Sequence, residues 1–165
     1  MLSADAVNIG QREGSGVTNN QRRMSVSRSG YKEDGDYDYW SAIMWAGQVA
    51  SAIRGKRGQS LLRDLLAALD AMPEKRLIAE DLGRLNIARR SYDVCALGAL
   101  GVKRCINLEA LDPEDYHSVA DAFGVAHQLV REIEHQNDEV LYPGYTAPEA
   151  RWQHVRAWVA ARVRV

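Results

Sequence analysis

The chain has little cysteine, almost no phenylalanine, no excess of either charge and no long apolar run. Among its 165 residues are two cysteines, one phenylalanine and a formal net charge of −1. Two thiols, Cys95 and Cys105, cannot make a disulfide framework; both lie in apolar surroundings, and reduced, buried thiols in a reducing cytosol are expected. Near-zero net charge excludes a broadly polycationic surface, so non-specific nucleic-acid binding is not the default, although one local patch stays free to differ. Met1 to Gly35 holds no apolar core of the signal-peptide type, and no window reaches the roughly 18 apolar residues of a membrane span. A cytoplasmic protein without membrane contact is expected.

What is present is helical periodicity. Residues 1–35, rich in Gly, Ser, Asn and Arg, read as a flexible tail, and Met24 offers a second start. Residues 36–165 read as one domain, mainly α, of five to seven helices. Carboxylates at Glu33, Asp34, Asp36 and Asp38 precede the first helix, where its dipole favours them. That helix spans Tyr39 to Arg54, with Trp40, Ile43, Met44, Ala50 and Ile53 at three-to-four spacing and Gly55 as its stop. Gln59 to Met72 carries a leucine stripe (Leu61, Leu62, Leu65, Leu66, Leu69) ended by Pro73. Leu77, Ile78, Leu82 and Leu85 suit a short helix. Val94 to Arg104 reads as a buried helix whose glycines permit close backbone approach, with a buried strand over 92–104 as the alternative. Asp112-Pro113 starts a helix that ends near Gly124; another runs from Val125 to Gln136. Thr146 with Glu149 makes a capping box for the last, which reaches Arg164 with Trp152, Val155, Trp158 and Val159 as its stripe.

Tyr116 to Ile133 has the spacing of a helix-turn-helix. Ala120 is the small residue at the helix crossing, Gly124 makes the turn, and Val119, Val125, Val130 and Ile133 are the inner residues. As a DNA reader the pair would present His127, Gln128 and Arg131 to base edges, with Lys56 and Arg57 as auxiliary phosphate contacts. Charge opposes this: residues 109–139 carry nine carboxylates against one base, Arg131, a local charge of −8. Phosphate contacts depend on Lys and Arg. An acidic interaction face built on Asp121, Glu132, Glu134, Asp138 and Glu139 is the favoured alternative, suited to a protein with a basic surface or to a second copy of the chain. Arg54-Gly55-Lys56-Arg57-Gly58 is the best phosphate-binding candidate in the chain, but a solvated turn with a glycine cap is the favoured reading of it. No catalytic residues, cofactor or metal ligands are expected: there is no phosphate-loop Gly-Lys-Ser/Thr, no Gly-x-Ser-x-Gly and no paired Cys/His spacing. Trp40 and Trp45, five apart, point to different faces of their helix, so one meets a groove or the surface.

Tyr39-Trp40 through Ile53-Arg54-Gly55-Lys56-Arg57-Gly58-Gln59, Ala71 to Ile78, Cys95 to Gly101, Leu111 to Asp115 and Asn137-Asp138-Glu139 together resemble a recurrent group of small bacteriophage and prophage proteins without assigned function. The resemblance covers most of residues 31–165 and departs from the group at Cys105, where glycine is expected. It implies a phage-encoded accessory protein working inside a bacterial host, by binding a host or phage macromolecule in defence evasion or host takeover. It transfers no catalytic residue.

Overall fold

Leucine placement decides the architecture. In the computed structural model, which describes residues 39–141 and 146–164, Leu61, Leu62, Leu65 and Leu69 are fully buried on one helix. Each such burial contributes about 1.5–3 kcal/mol. That helix is α2 (Lys56–Ala71), preceded by α1 (Tyr39–Arg54). Then come the strands β1 (Gly83–Asn86) and β2 (Ser91–Val94), α3 (Ala96–Lys103), a 3₁₀ turn (Leu108–Ala110), α4 (Tyr116–Phe123), α5 (His127–Asp138) and α6 (Pro148–Ala160). The described residues are thus mainly helical, with six α-helices and one strand pair. None of these helices is long and apolar enough to cross a membrane. The expected tail, the Met24 start, the carboxylates at 33–38 and the break at Pro143-Gly144 lie outside the described residues.

Two helices organise the rest. α2 packs on α1, α3 and α6, while α5 packs on α1, α3, α4 and α6. Leu97 and Leu100 of α3, Val119 of α4, Leu129, Val130 and Ile133 of α5, and Val155 and Val159 of α6 complete the core around Leu61–Leu69. The α1–α2 junction is tight, and a side chain at Gly58 would overlap the Ala52 carbonyl.

The segment 77–85 corrects one expectation. Leu77, Ile78 and Leu82 are buried but belong to an irregular crossing, and Leu85 lies on β1 and is exposed. The spacing that suits a helix here serves a chain pinned at several points. Leu77 N–H donates to Pro148 O (3.0 Å), Ile78 N–H to Val94 O (3.0 Å), and Glu80 takes a positive φ of 65°. Asn137 and Arg151, both buried, hold this crossing in place. Asn137 Nδ2 donates to Ile78 O (2.8 Å), and its Oδ1 accepts from Ala96 N–H (3.1 Å). Arg151 Nε and Nη1 donate to Asn137 O (2.8 Å) and Leu77 O (2.9 Å).

Residues 92–104 hold both alternatives in turn. β2 ends at Val94, Cys95 caps α3 by accepting from Gly98 N–H, and the helix follows. At Gly98 any Cβ would collide with the Leu82 carbonyl, so the close approach read from the glycines is real. Cys105, by contrast, is exposed, not buried. Its φ of 55° falls in the left-handed region that favours glycine. Helix starts also shift. Asp115, not Asp112, caps α4, accepting from His117 and Ser118 N–H (3.2 and 3.1 Å). α6 begins after Ala147 with no side-chain cap bond, so Thr146 does not form the expected box.

Candidate functional site

The expected acidic face is mostly inside the protein. Glu134 is 3% exposed and Asp138 6%, Glu132 is buried, and the side chain of Glu139 is nearly so. Of the five residues, Asp121 alone is exposed. The cause is position: α5 has helices on four sides, so few of its azimuths reach water. These carboxylates therefore take internal partners, as buried charge must. Glu132 Oε1 accepts from Gln136 Nε2 (2.9 Å), Asp138 Oδ2 from Glu80 N–H (3.2 Å), and Glu139 lies 2.8 Å from His135 Nδ1. The exposed acids of this stretch come earlier, at Glu109, Asp112, Glu114 and Asp115.

Gly124 turns α4 into α5 with a φ of 69°, and Val125 N–H closes the turn on Ala120 O (3.0 Å). Val119, Ala120, Val130 and Ile133 are buried as the pattern requires. The outward residues of α5, however, meet α1. Arg131 stacks on the rings of Trp45 (4.5 Å) and Tyr116 (5.2 Å). The His127 ring lies 4.5 Å from His117 and 6.3 Å from Trp45. Gln128 Nε2 donates to Gln48 Oε1 (3.1 Å). Burial, helped by His117 and Arg131, lowers the His127 pKa below 6.5 and favours the neutral ring. Arg131 and His127 are thus engaged with side chains of α1 and α4. Lys56, Arg57 and Gln128 do come together: they line a groove of about 490 Å³ between the α1–α2 junction and the α4–α5 turn.

The feature that charge counting passed over is α1 itself. Its sixteen residues hold one ionisable cation, Arg54, and no acid. Trp40 is 70% exposed and Met44 61%, with Ile43 exposed beside them. Val49 is the one buried side chain among those described on this helix. No family model, curated protein or solved structure matches the chain.

On the side of α1 away from Trp40 and Met44 runs a groove of about 460 Å³. Ala42, Ala46, Val49, Ala50 and Ile53 form its apolar wall, and Arg54, Arg162 and Arg164 stand around it. Gln59, buried at the start of α2, fixes the last two. Its Nε2 donates to Arg162 O (3.0 Å) and Ile53 O (2.8 Å), and its Oε1 accepts from Arg164 N–H (2.8 Å). Arg162 further stacks on Trp158 at 4.3 Å. Glu132 also lines the groove, so its charge stands at 3+ against 1−. The missed signal was legible: a sixteen-residue helix at the chain surface with one charge is not patterned for water.

Proposed function

We propose that the chain is a non-enzymatic binding protein that seats an apolar helical segment of another protein, flanked by acidic residues, along α1 and its groove. The observation that carries this reading is the apolar wall that α1, a helix with one charge, presents to a groove flanked by three arginines. An amphipathic helix laid in a groove needs apolar anchors at three-to-four spacing. Ala42, Ala46, Val49, Ala50 and Ile53 supply the matching surface, and Arg54, Arg162 and Arg164 select for acid at the flanks. The partner's charge thereby reverses relative to the basic surface expected from residues 109–139. The resemblance to phage proteins fits an accessory role of this kind inside a host cell.

The test is fluorescence anisotropy of the full chain with two labelled helical peptides sharing a leucine stripe, one flanked by glutamate and one by lysine. The glutamate peptide should bind at least tenfold tighter, and Ala46→Glu, on the groove wall, should abolish that binding. Equal binding of both peptides, or indifference to Ala46→Glu, would refute the reading. Sedimentation velocity of the unmodified chain provides a separate check. Self-association abolished by Ala46→Glu would replace the partner by a second copy.

DNA contact is the second reading, favoured by the convergence of Lys56, Arg57 and Gln128 on one groove. It requires salt-sensitive binding to mixed duplex DNA that falls on Lys56→Ala and Arg57→Ala. Ala46→Glu should leave that binding unchanged.

A further inference from the structure

The strand pair has one edge that is not closed. β1 and β2 run antiparallel with Gly83 opposite Val94, Arg84 opposite Asp93, Leu85 opposite Tyr92 and Asn86 opposite Ser91. Cys95 N–H donates to Leu82 O (3.2 Å), which fixes the phase of the ladder. Hydrogen-bonded pairs alternate with pairs that turn their main-chain groups away from each other. Arg84–Asp93 and Asn86–Ser91 are therefore bonded pairs, while Tyr92 and Val94 direct N–H and C=O to the far edge of β2. There the Val94 carbonyl is taken by Ile78 N–H (3.0 Å). The Tyr92 main chain receives no main-chain partner from outside the ladder among the described residues. A strand edge with an open donor and acceptor is a template for a further strand.

Beside that edge lies a cavity of about 530 Å³, larger than the groove along α1. Its wall is apolar: Ala68 and Met72 from the end of α2, Val94 from β2, Ala99 and Val102 from α3. Val102 is itself largely exposed, so the wall opens to the surface. Two acids and two bases border the cavity, and the acids are already engaged. Asp93 accepts from Asn86 Nδ2 (2.8 Å) and Ser91 Oγ (3.0 Å); the Asn86 bond leads in holding its carboxyl below the usual range. Glu74 accepts from Arg89 Nη2 (2.6 Å). Of the bases, Arg76 has among the described residues only long ion pairs, 3.7 Å to Glu74 and 4.0 Å to Glu149. Lys103 has no side-chain hydrogen bond or ion pair among the described residues. The uncommitted charge at the cavity is positive.

We propose that β2 and this cavity bind an extended acidic peptide as a third strand: its main chain pairs with Tyr92, one apolar side chain enters the cavity, and a neighbouring carboxylate meets Lys103 and Arg76. Strand addition draws its affinity from main-chain bonds and its selectivity from the side-chain pocket. Here both lie within one residue of each other on β2, and the free cations set the sign of the ligand. The site shares no residue with the α1 groove and stands whether or not that groove binds a helix.

The experiment uses the full chain and a fluorescein-labelled hexapeptide of alternating valine and glutamate, with a valine–lysine hexapeptide as control. The acidic peptide should bind and the basic one should be at least tenfold weaker. Lys103→Glu, a surface change, should weaken the acidic peptide at least tenfold, whereas Ala46→Glu should leave it unchanged. Methylating the peptide nitrogen that pairs with Tyr92 should abolish binding, and the Tyr92 amide should gain hydrogen-exchange protection only with the unmethylated peptide. No binding at millimolar peptide, equal binding of the two peptides, or indifference to Lys103→Glu or to methylation would each overturn the proposal.

Discussion

Asn137→Ala should cost far more than an average substitution, and the structure says why. The side chain is buried and joins three parts of the chain that are distant in sequence. Its oxygen accepts from Ala96 N–H at the start of α3 (3.1 Å), and its nitrogen donates to Ile78 O in the crossing segment (2.8 Å) and to Asp138. Truncation leaves a buried amide and a buried carbonyl without these partners. Each orphaned group costs about 1–3 kcal/mol, so about 3–5 kcal/mol is expected after partial relaxation. Against a total stability of about 5–15 kcal/mol, that is a large fraction. Urea denaturation followed by circular dichroism should show the midpoint falling by about 2 M, taking a slope near the middle of the range for small domains. Native-state hydrogen exchange should show the Ala96 amide losing protection before α2 does. A loss below about 1 kcal/mol would refute the account, because at least one backbone group would then have found water or another partner.

Two glycines separate steric collision from backbone strain. Gly98→Ala should cost about 3 kcal/mol or more, since its Cβ meets the Leu82 carbonyl, whereas Gly124→Ala, in open space at a φ of 69°, should cost about 1 kcal/mol. Comparable denaturation midpoints for the two would contradict this ordering. Arg131→Ala removes a guanidinium stacked on Trp45 and Tyr116; about 1–2 kcal/mol should be lost, read as faster amide exchange across α1 than across α2. His127 and His154 both have pKa values lowered below 6.5, chiefly by burial, so the unfolded chain takes up protons first as pH falls. Their contribution is therefore complete above about pH 6.5 and shrinks as pH drops toward their folded values, which thermal melts from pH 7.5 to 5 should show and His127→Gln should flatten.

The helices were legible where one face is buried and the other wet. The leucine stripe of α2 and the spacing of Val119, Val130 and Ile133 on α4 and α5 follow from periodicity alone. The glycines of α3 announced a close contact, although only the fold shows that Gly98 meets the Leu82 carbonyl. Leu85 misled because its distance from Leu77 and Leu82 fits a helix, while its environment is a strand facing solvent. The acids of α5 misled for a different reason. Sequence records that a carboxylate is present, but azimuth relative to four neighbouring helices decides whether it meets water, and Glu134 and Asp138 do not. Arg131 reads as a base-edge donor until the fold places Trp45, some eighty residues away in sequence, over its guanidinium. Long-range neighbours of this kind leave no local periodic trace.

The way α1 is fastened has a thermodynamic consequence. The helix contributes Val49 as its buried anchor and otherwise rests on Trp45, Gln48 and the surfaces of Ala52 and Ile53. Segments with few buried apolar contacts open at free energies well below that of global unfolding. Lifting α1 would leave the leucine cluster of α2 with its contacts to α3 and α6, so this opening need not propagate. It would, however, strip His127 and Arg131 of Trp45 and Gln128 of Gln48 in one motion. Two surfaces of opposite character are thereby linked through the seating of one helix: any ligand that favours the seated helix taxes a ligand of the face beneath it, and the penalty is the same in either direction.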